Sequence, residues 1–221
     1  MRIFRISILF AAISLAGLGN VFAQTHDISS GGLPTLTGAL SGSVSGSSSV
    51  LNDLVVTINF GEASPQNTNS IVKVTVPIAI RSTTVYQVTA SITGTANANA
   101  QAIQKSDLGF GVNNFRSLGA NAQVCNNSSH IFYSPFNNDP STTATIAASG
   151  RVIYPSTLAT IGSSTVLVSG PRLSKTKNVN RQSDNGYAFD AIIVLTPQFY
   201  AAGSTAFTLT FTIGTGPSVV C

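Results

Sequence analysis

Charge is scarce in this chain of 221 residues, because 11 Lys and Arg and 7 Asp and Glu make up only 8% of the sequence. A typical soluble domain has about 25% charged residues. Leu, Glu, Lys and Arg are too sparse to form the apolar stripe of a long amphipathic helix. So few charges also exclude a polyelectrolyte tail. The apolar content of 43% is enough to fill a core, which favours one folded domain, alone or with a tail.

Residues that carry chemistry are also few, since the chain has two histidines and no tryptophan. Its seven acidic residues are spread without close pairing, whereas glycoside hydrolysis needs two carboxylates that flank one bond. A Ser-His-Asp triad would depend on His130, and no G-x-S-x-G motif supplies its serine. We therefore predict a protein that is not an enzyme, with no catalytic residue, no cofactor and no metal site.

The first 23 residues have the pattern of a signal peptide. Arg2 and Arg5 precede an apolar run from Ile6 to Leu18, and small residues end at Ala23. The run is shorter than the roughly 20 residues of a membrane span, so we predict cleavage after Ala23 and export through the periplasm.

The exported chain has little net charge, because removal of Arg2 and Arg5 leaves nine basic residues against seven acidic ones. A net charge near +2 does not favour nucleic acid as a partner. One basic cluster lies in a loop rich in Gly, Pro, Asn and Ser, and consists of Arg172, Lys175, Lys177 and Arg181. It would suit an anionic partner such as lipopolysaccharide or a glycan, and an ordinary solvated loop is the alternative.

The two cysteines, Cys125 and Cys221, are an even number in an exported chain, which favours one disulfide between them. A free thiol at each position and a bridge between two chains are the alternatives. A bridge to Cys221, the last residue, would hold the C-terminus in place.

Residues 24–50 are rich in Gly and Ser and are predicted to form an extended N-terminal arm. Within them, every second residue from Leu36 to Val44 is either apolar or a glycine, and these residues would share one face of an extended strand. Glycines on the same face would let another backbone approach closely. The residues of this pattern are Leu36, Gly38, Leu40, Gly42 and Val44.

Residues 51–221 are predicted to form an all-β domain, because apolar and polar residues alternate in several segments. Eight or nine such segments separated by turn residues are typical of an antiparallel β-sandwich with Greek-key connections. Pro77 falls on the polar side of its segment and indicates an edge or a bulge. The clearest segments are 54–60, 72–80, 86–92, 187–195 and 207–213.

Aromatic residues in a loop rich in Pro and Asn offer a second candidate ligand site. Tyr133, with Phe132 and Phe136, is the best candidate for an exposed ring that stacks on a sugar. The alternative is that these rings pack beneath their own loop.

The leader, the alternating arm TLTGALSGSV and the Thr-rich strands together resemble bacterial fimbrial subunits of the chaperone-usher kind. The resemblance implies an immunoglobulin-like sandwich that lends its N-terminal strand to a neighbouring subunit by β-strand addition. Leu36, Leu40 and Val44 would fill the neighbour's pockets, and Gly38 or Gly42 would lie at a tight crossing. The terminal position of Cys221 departs from the family's usual disulfide.

These observations predict a structural subunit of a fimbria-like or cell-surface assembly, secreted or held at the surface. Its partners would be further copies or other surface subunits, together with a periplasmic chaperone and an outer-membrane usher. The alternative is a secreted adhesin or glycan-binding module, whose candidate ligand residues are Tyr133, Phe136, Arg172, Lys175 and Lys177.

Overall fold

The computed structural model describes residues 24–38, 42–50, 52–62, 71–94, 99, 101–119, 130–174, 185–196, 200–201 and 204–218. The predicted signal peptide, Leu40, both cysteines, Lys175 and Lys177 lie outside these residues. The strands are His26–Ser30 (β1), Thr35–Thr37 (β2), Ser43–Val50 (β3), Asp53–Glu62 (β4), Val72–Ser82 (β5), Tyr86–Thr93 (β6), Gly109–Leu118 (β7), Ile131–Phe132 (β8), Thr145–Ile146 (β9), Val152–Ile153 (β10), Thr165–Gly170 (β11), Gly186–Leu195 (β12) and Ser204–Thr215 (β13). One short α-helix, Pro140–Thr143 (α1), and the 3-10 helices Lys105–Asp107 and Leu158–Thr160 join them.

Two antiparallel sheets contain most of these strands. The five-stranded sheet has the order β1–β5–β12–β7, and β2 also pairs with β5. The six-stranded sheet has the order β3–β4–β13–β6–β11–β8. β9 and β10 form a separate hairpin. The predicted all-β class is confirmed.

The alternation in the sequence predicts which side chains are buried. In β4, the residues Leu54, Val56, Ile58 and Phe60 are completely buried, while the residues between them are partly exposed. The same pattern holds along β5 and β6, where every second side chain points inward. Inward side chains of both sheets belong to one hydrophobic cluster, so the two sheets bury a common core.

Pro77 does not lie at a sheet edge or a bulge, as we expected, but in β5, which has partners on both sides. Its carbonyl accepts a hydrogen bond from the backbone N–H of Gly31 at 2.9 Å, so the missing N–H of the proline also faces the side of β1 and β2. On that side β1 ends at Ser30 and β2 begins only at Thr35. The gap between the two short strands tolerates the absent donor.

The outer face of the five-stranded sheet is partly covered, which the strand pattern did not predict. Ile192 and Val194 of β12 point away from the main core and yet are buried. Tyr154 completes this second cluster, and Ala144 and Val152 pack against it. The segment that contains α1, β9 and β10 therefore shields this part of the sheet from water.

An ion pair attaches this covering segment to the sheet. The Nζ atom of Lys73, in β5, lies 2.8 Å from Oδ2 of Asp139 and 3.1 Å from Oγ of Ser141. Asp139 also caps α1, because its carboxylate accepts a hydrogen bond from the backbone N–H of Ser141 at 2.9 Å. Burial raises the pKa of Asp139, but these hydrogen bonds outweigh burial and leave its pKa below the ordinary value.

We expect Phe211→Ala to lower the free energy of unfolding by about 3–5 kcal/mol, because the ring is completely buried in the central strand β13. Thr210→Ala is the matched control, since Thr210 lies next to it on the other, partly exposed face of the strand. The Thr210→Ala substitution should lower the free energy of unfolding by less than about 1 kcal/mol. Urea unfolding measures both values, and equal losses would contradict the assigned faces.

Candidate subunit-joining site

The predicted N-terminal arm is paired within its own chain. β1 and β2 lie beside β5, and β3 lies beside β4. Each of these three strands has one ladder partner among the described strands, so all three are edge strands. The expectation of a free arm is therefore not confirmed. We call residues 24–37, which hold β1 and β2, the N-terminal unit.

The alternating apolar residues of the arm do not lie on one continuous strand. Leu36 is opposite Val74 in the five-stranded sheet, whereas Val44 is opposite Ile58 in the six-stranded sheet. Both side chains are partly buried against the common core. The chain thus passes from one sheet to the other between them, and the even spacing conceals this change of sheet.

Two glycines lie at the ends of this passage, and both have a structural reason. Gly38 has a φ of +108°, and a Cβ atom there would lie 2.9 Å from the Cα of Val72. A Cβ atom at Gly42 would collide with the carbonyl oxygen of Asn59 and would lie 2.9 Å from the carbonyl carbon of Phe60. Gly38 and Gly42 therefore bound the connection between the N-terminal unit and β3, which we call the hinge.

β1 packs into the core and also pairs with β5 through backbone hydrogen bonds. Ile28 is completely buried and lies opposite Ile80. On the other face of the strand, the carboxylate of Asp27 lies 3.7 Å from the guanidinium of Arg81, and both side chains are largely buried. The strand thus contributes apolar contacts as well as backbone hydrogen bonds.

β3 forms an edge of the six-stranded sheet, and its sequence has no lysine or proline to block edge pairing. Its eight residues, SVSGSSSV, include no charged residue and no proline. A bulge between Ser45 and Ser47 is the one irregularity in its ladder with β4. Natural proteins block such edges with lysines, prolines or covering segments.

The predicted ligand residues are placed in ways that the sequence did not indicate. Phe136 is buried rather than exposed, because its ring packs edge-on against Phe110 with centroids 5.9 Å apart. Tyr133 is partly buried, and its hydroxyl lies 3.1 Å from the Oγ atom of Ser169. The Nε–H of Arg172 donates to a nearby backbone carbonyl, that of Ser174, at 2.5 Å. For Phe136, the structure therefore supports the alternative of a packed ring rather than an exposed one.

The sequence assigned no structural role to either histidine. His130 is buried, and its ring stacks on Tyr187 with centroids 3.9 Å apart and planes inclined by 10°. His26 is buried in β1, where a flexible arm was expected. The same face of β1 carries His26 and Ile28, and this alternation was too short to be recognised.

Comparison with models of protein families, with curated proteins and with solved structures found no match. Among the described residues, no group of three or more His, Cys, Asp or Glu is arranged to hold a metal ion. The described part of the chain also has no helix that is both long and apolar enough to cross a membrane. We therefore infer the function from the geometry of the strands.

We expect Gly42→Val to weaken the pairing of β3 with β4, because the new side chain would collide with the backbone of β4 at Asn59. Amide hydrogen exchange of residues 55–59 should become faster by at least about tenfold, which corresponds to 1.4 kcal/mol of local opening. Ser43→Val is the control, since Ser43 is exposed. Unchanged exchange in Gly42→Val would contradict the close approach.

Proposed function

We propose that this protein is an exported structural subunit that joins neighbouring copies by exchange of the N-terminal unit. The observation that carries the proposal is the position of β1 and β2, which are edge strands at the N-terminal end of the described chain. Their backbone ladders are with β5, β1 also packs against β3, β4 and β13, and the hinge at residues 38–42 is their connection to the rest of the chain. A second copy can offer an identical β5.

Exchange of an identical element leaves every contact chemically unchanged, so its free-energy cost lies mainly in the hinge and in the association of two chains. The five hinge residues can span about 16 Å when extended, at roughly 3.3 Å per residue. Gly38 can adopt both the left-handed conformation seen here and an extended one. The hinge is therefore suited to release the unit towards a neighbour.

We further propose an immunoglobulin-like Greek-key arrangement for the two sheets. The order β1–β5–β12–β7 in one sheet and β4–β13–β6–β11 in the other supports it. In this arrangement β4 comes from the N-terminal part of the chain and fills the position beside β13. The core beside β13 is thus closed by the chain itself. The edge strands among those described are β1, β2 and β7 in one sheet and β3 and β8 in the other, and release of the N-terminal unit would open the edge of β5.

The outward faces of the strands suit a structural role at a cell surface. Thr208, Thr210 and Thr212 of β13 alternate with buried side chains, and a similar row on β6 carries Gln87 and Thr89. Hydroxyls and amides with few charges give a hydrated surface with little electrostatic repulsion between copies. Other surface subunits, a periplasmic chaperone and an outer-membrane usher are partners that this proposal includes.

Two variants with one added cysteine each test the exchange. Ser29 of β1 lies opposite Ala79 of β5, so cysteines at these positions can form a disulfide when the two strands pair. Ser29→Cys and Ala79→Cys chains are mixed, incubated at neutral pH and oxidised. We expect covalent heterodimers, because β1 of one copy must pair with β5 of the other.

The control mixes Ser29→Cys with Ser117→Cys, since Ser117 is exposed on β7 at the opposite edge of the same sheet. Each variant alone reports any disulfide with the native cysteines. Heterodimers only in the 29 and 79 mixture support exchange. Equal yields in both mixtures, or none in either, would overturn it.

A further inference from the structure

His26 connects the N-terminal unit to both sheets at one end of the core. Its Nδ1 atom lies 2.9 Å from Oγ of Ser82, the residue opposite it in β5. Its Nε2 atom lies 3.3 Å from Oγ1 of Thr215, at the end of β13 in the other sheet. The side chain is buried, with a residue exposure of 5%. We call this group of three residues the histidine clasp.

The hydrogen bonds define which ring nitrogen carries the proton. The hydroxyl of Ser82 donates to the carbonyl of Thr84 at 2.8 Å, so its oxygen is left to accept from His26. Nδ1 of the imidazole is therefore the N–H donor, and Nε2 accepts from the hydroxyl of Thr215. Protonation of Nε2 would replace this acceptor with a second donor, so the Thr215 hydroxyl would have to turn and accept from it, and a positive charge would enter the buried site.

Among the described residues, the ring hydrogen-bonds to hydroxyls and to no carboxylate. The backbone N–H groups of Leu173 and Ser174 donate to the carbonyl of Ser82, so the neighbouring Arg172 adds a further positive charge at this end of the sheet.

β1 packs against β3, β4, β5 and β13, and neither β3 nor β13 has a charged residue. On β1 itself, Asp27 points to the face opposite that of His26 and pairs with Arg81 of β5. Lys73, at the other end of β5, is opposite Thr37.

The two acidic residues of β4 are also engaged or distant. Asp53 accepts a hydrogen bond from Thr212 Oγ1 at 2.6 Å, on the outer face of the sheet. Glu62 is paired with Ser204, at the end of β13 remote from Thr215. After cleavage at residue 23, the α-amino group would add a positive charge two residues from His26, which further disfavours protonation of the ring.

We propose that the histidine clasp is a pH-sensitive latch, in which protonation of His26 in mildly acidic medium releases β1 from β5 and β13. Only the use of this release, which is to make the N-terminal unit available to a second copy, rests on the proposed function. A charge placed in this buried site would have hydroxyls as its nearest partners, and opening of the strand lets water solvate it.

The direction of the pH effect follows from linkage. Burial lowers the pKa of His26 in the folded chain below its ordinary value of 6.5. Between these two pKa values the opened strand binds more protons than the closed one, so closure weakens as the pH falls. Above about pH 8 almost none of either form is protonated, and the latch is fully closed.

Amide hydrogen exchange at pH 7.0 and pH 5.5, corrected for intrinsic rates, tests the latch in the full exported chain. We expect protection at residues 26–30 and 78–82 to fall at pH 5.5, by up to about tenfold for each unit of pKa depression. Protection of residues 109–112 and 191–194 in the ladder between β7 and β12 should not change, because this half of the ladder contains no histidine and does not include Tyr187, on which His130 stacks.

The two histidines of the chain provide a matched pair of variants. His26→Gln keeps a donor and an acceptor but cannot titrate, so the pH effect should disappear. His130→Gln removes the other buried histidine and should leave the effect intact. Persistence of the effect in His26→Gln, or its loss in His130→Gln, would overturn the proposal.

Imidazole NMR of the unmodified chain keeps the test decisive if a variant fails to fold. A Nδ1–H tautomer with a pKa below 6.5 for His26 supports the latch, and a pKa at or above 6.5 contradicts it.

Opening at pH 5.5 without heterodimers between the Ser29→Cys and Ala79→Cys variants would uphold the latch and reject strand exchange. Heterodimers that form equally at both pH values, with no opening of β1 at pH 5.5, would uphold strand exchange and reject the latch.

Discussion

The backbone ladder along β5 is the interaction on which the rest of the molecule depends. β5 pairs with β12 along nine residues and with β1 and β2 on its other side, while its inward side chains lie in the common core. β12 can only be replaced by unfolding the sheet, because β7 lies beyond it. β1 and β2 can leave at the cost of their own contacts. This asymmetry makes one edge of β5 suitable for strand exchange.

The sequence predicted the strands well where one face is in the core and the other is in water. Leu54, Val56 and Ile58 illustrate this, because a period of two residues follows directly from the pleat. It did not predict the burial of Ile192 and Val194, since the segment that covers them is more than 30 residues away in the chain. Such contacts leave no periodic signal in either segment.

Alternation also misled the interpretation of the candidate site. Leu36 and Val44 share a parity, yet they belong to different sheets, because the chain crosses between the sheets at Gly38 and Gly42. Because Val44 follows Leu36 by an even number of residues, the alternation in the sequence continues across the change of sheet. The glycines themselves were the available signal: both positions exclude a Cβ atom, and Gly38 needs a positive φ. Their spacing was read as room for a neighbour's backbone, whereas the close backbones belong to the same chain.

The scarcity of charge gives the histidines their importance. With 18 charged side chains in 221 residues, and none on β3 or β13, the space around β1 has little to offset a new positive charge. In a highly charged protein, a nearby carboxylate would often stabilise an imidazolium and raise its pKa. Here the two nearest polar groups are the hydroxyls of Ser82 and Thr215. In the latch that we propose, the scarcity of charge therefore makes the pairing of β1 sensitive to a single proton.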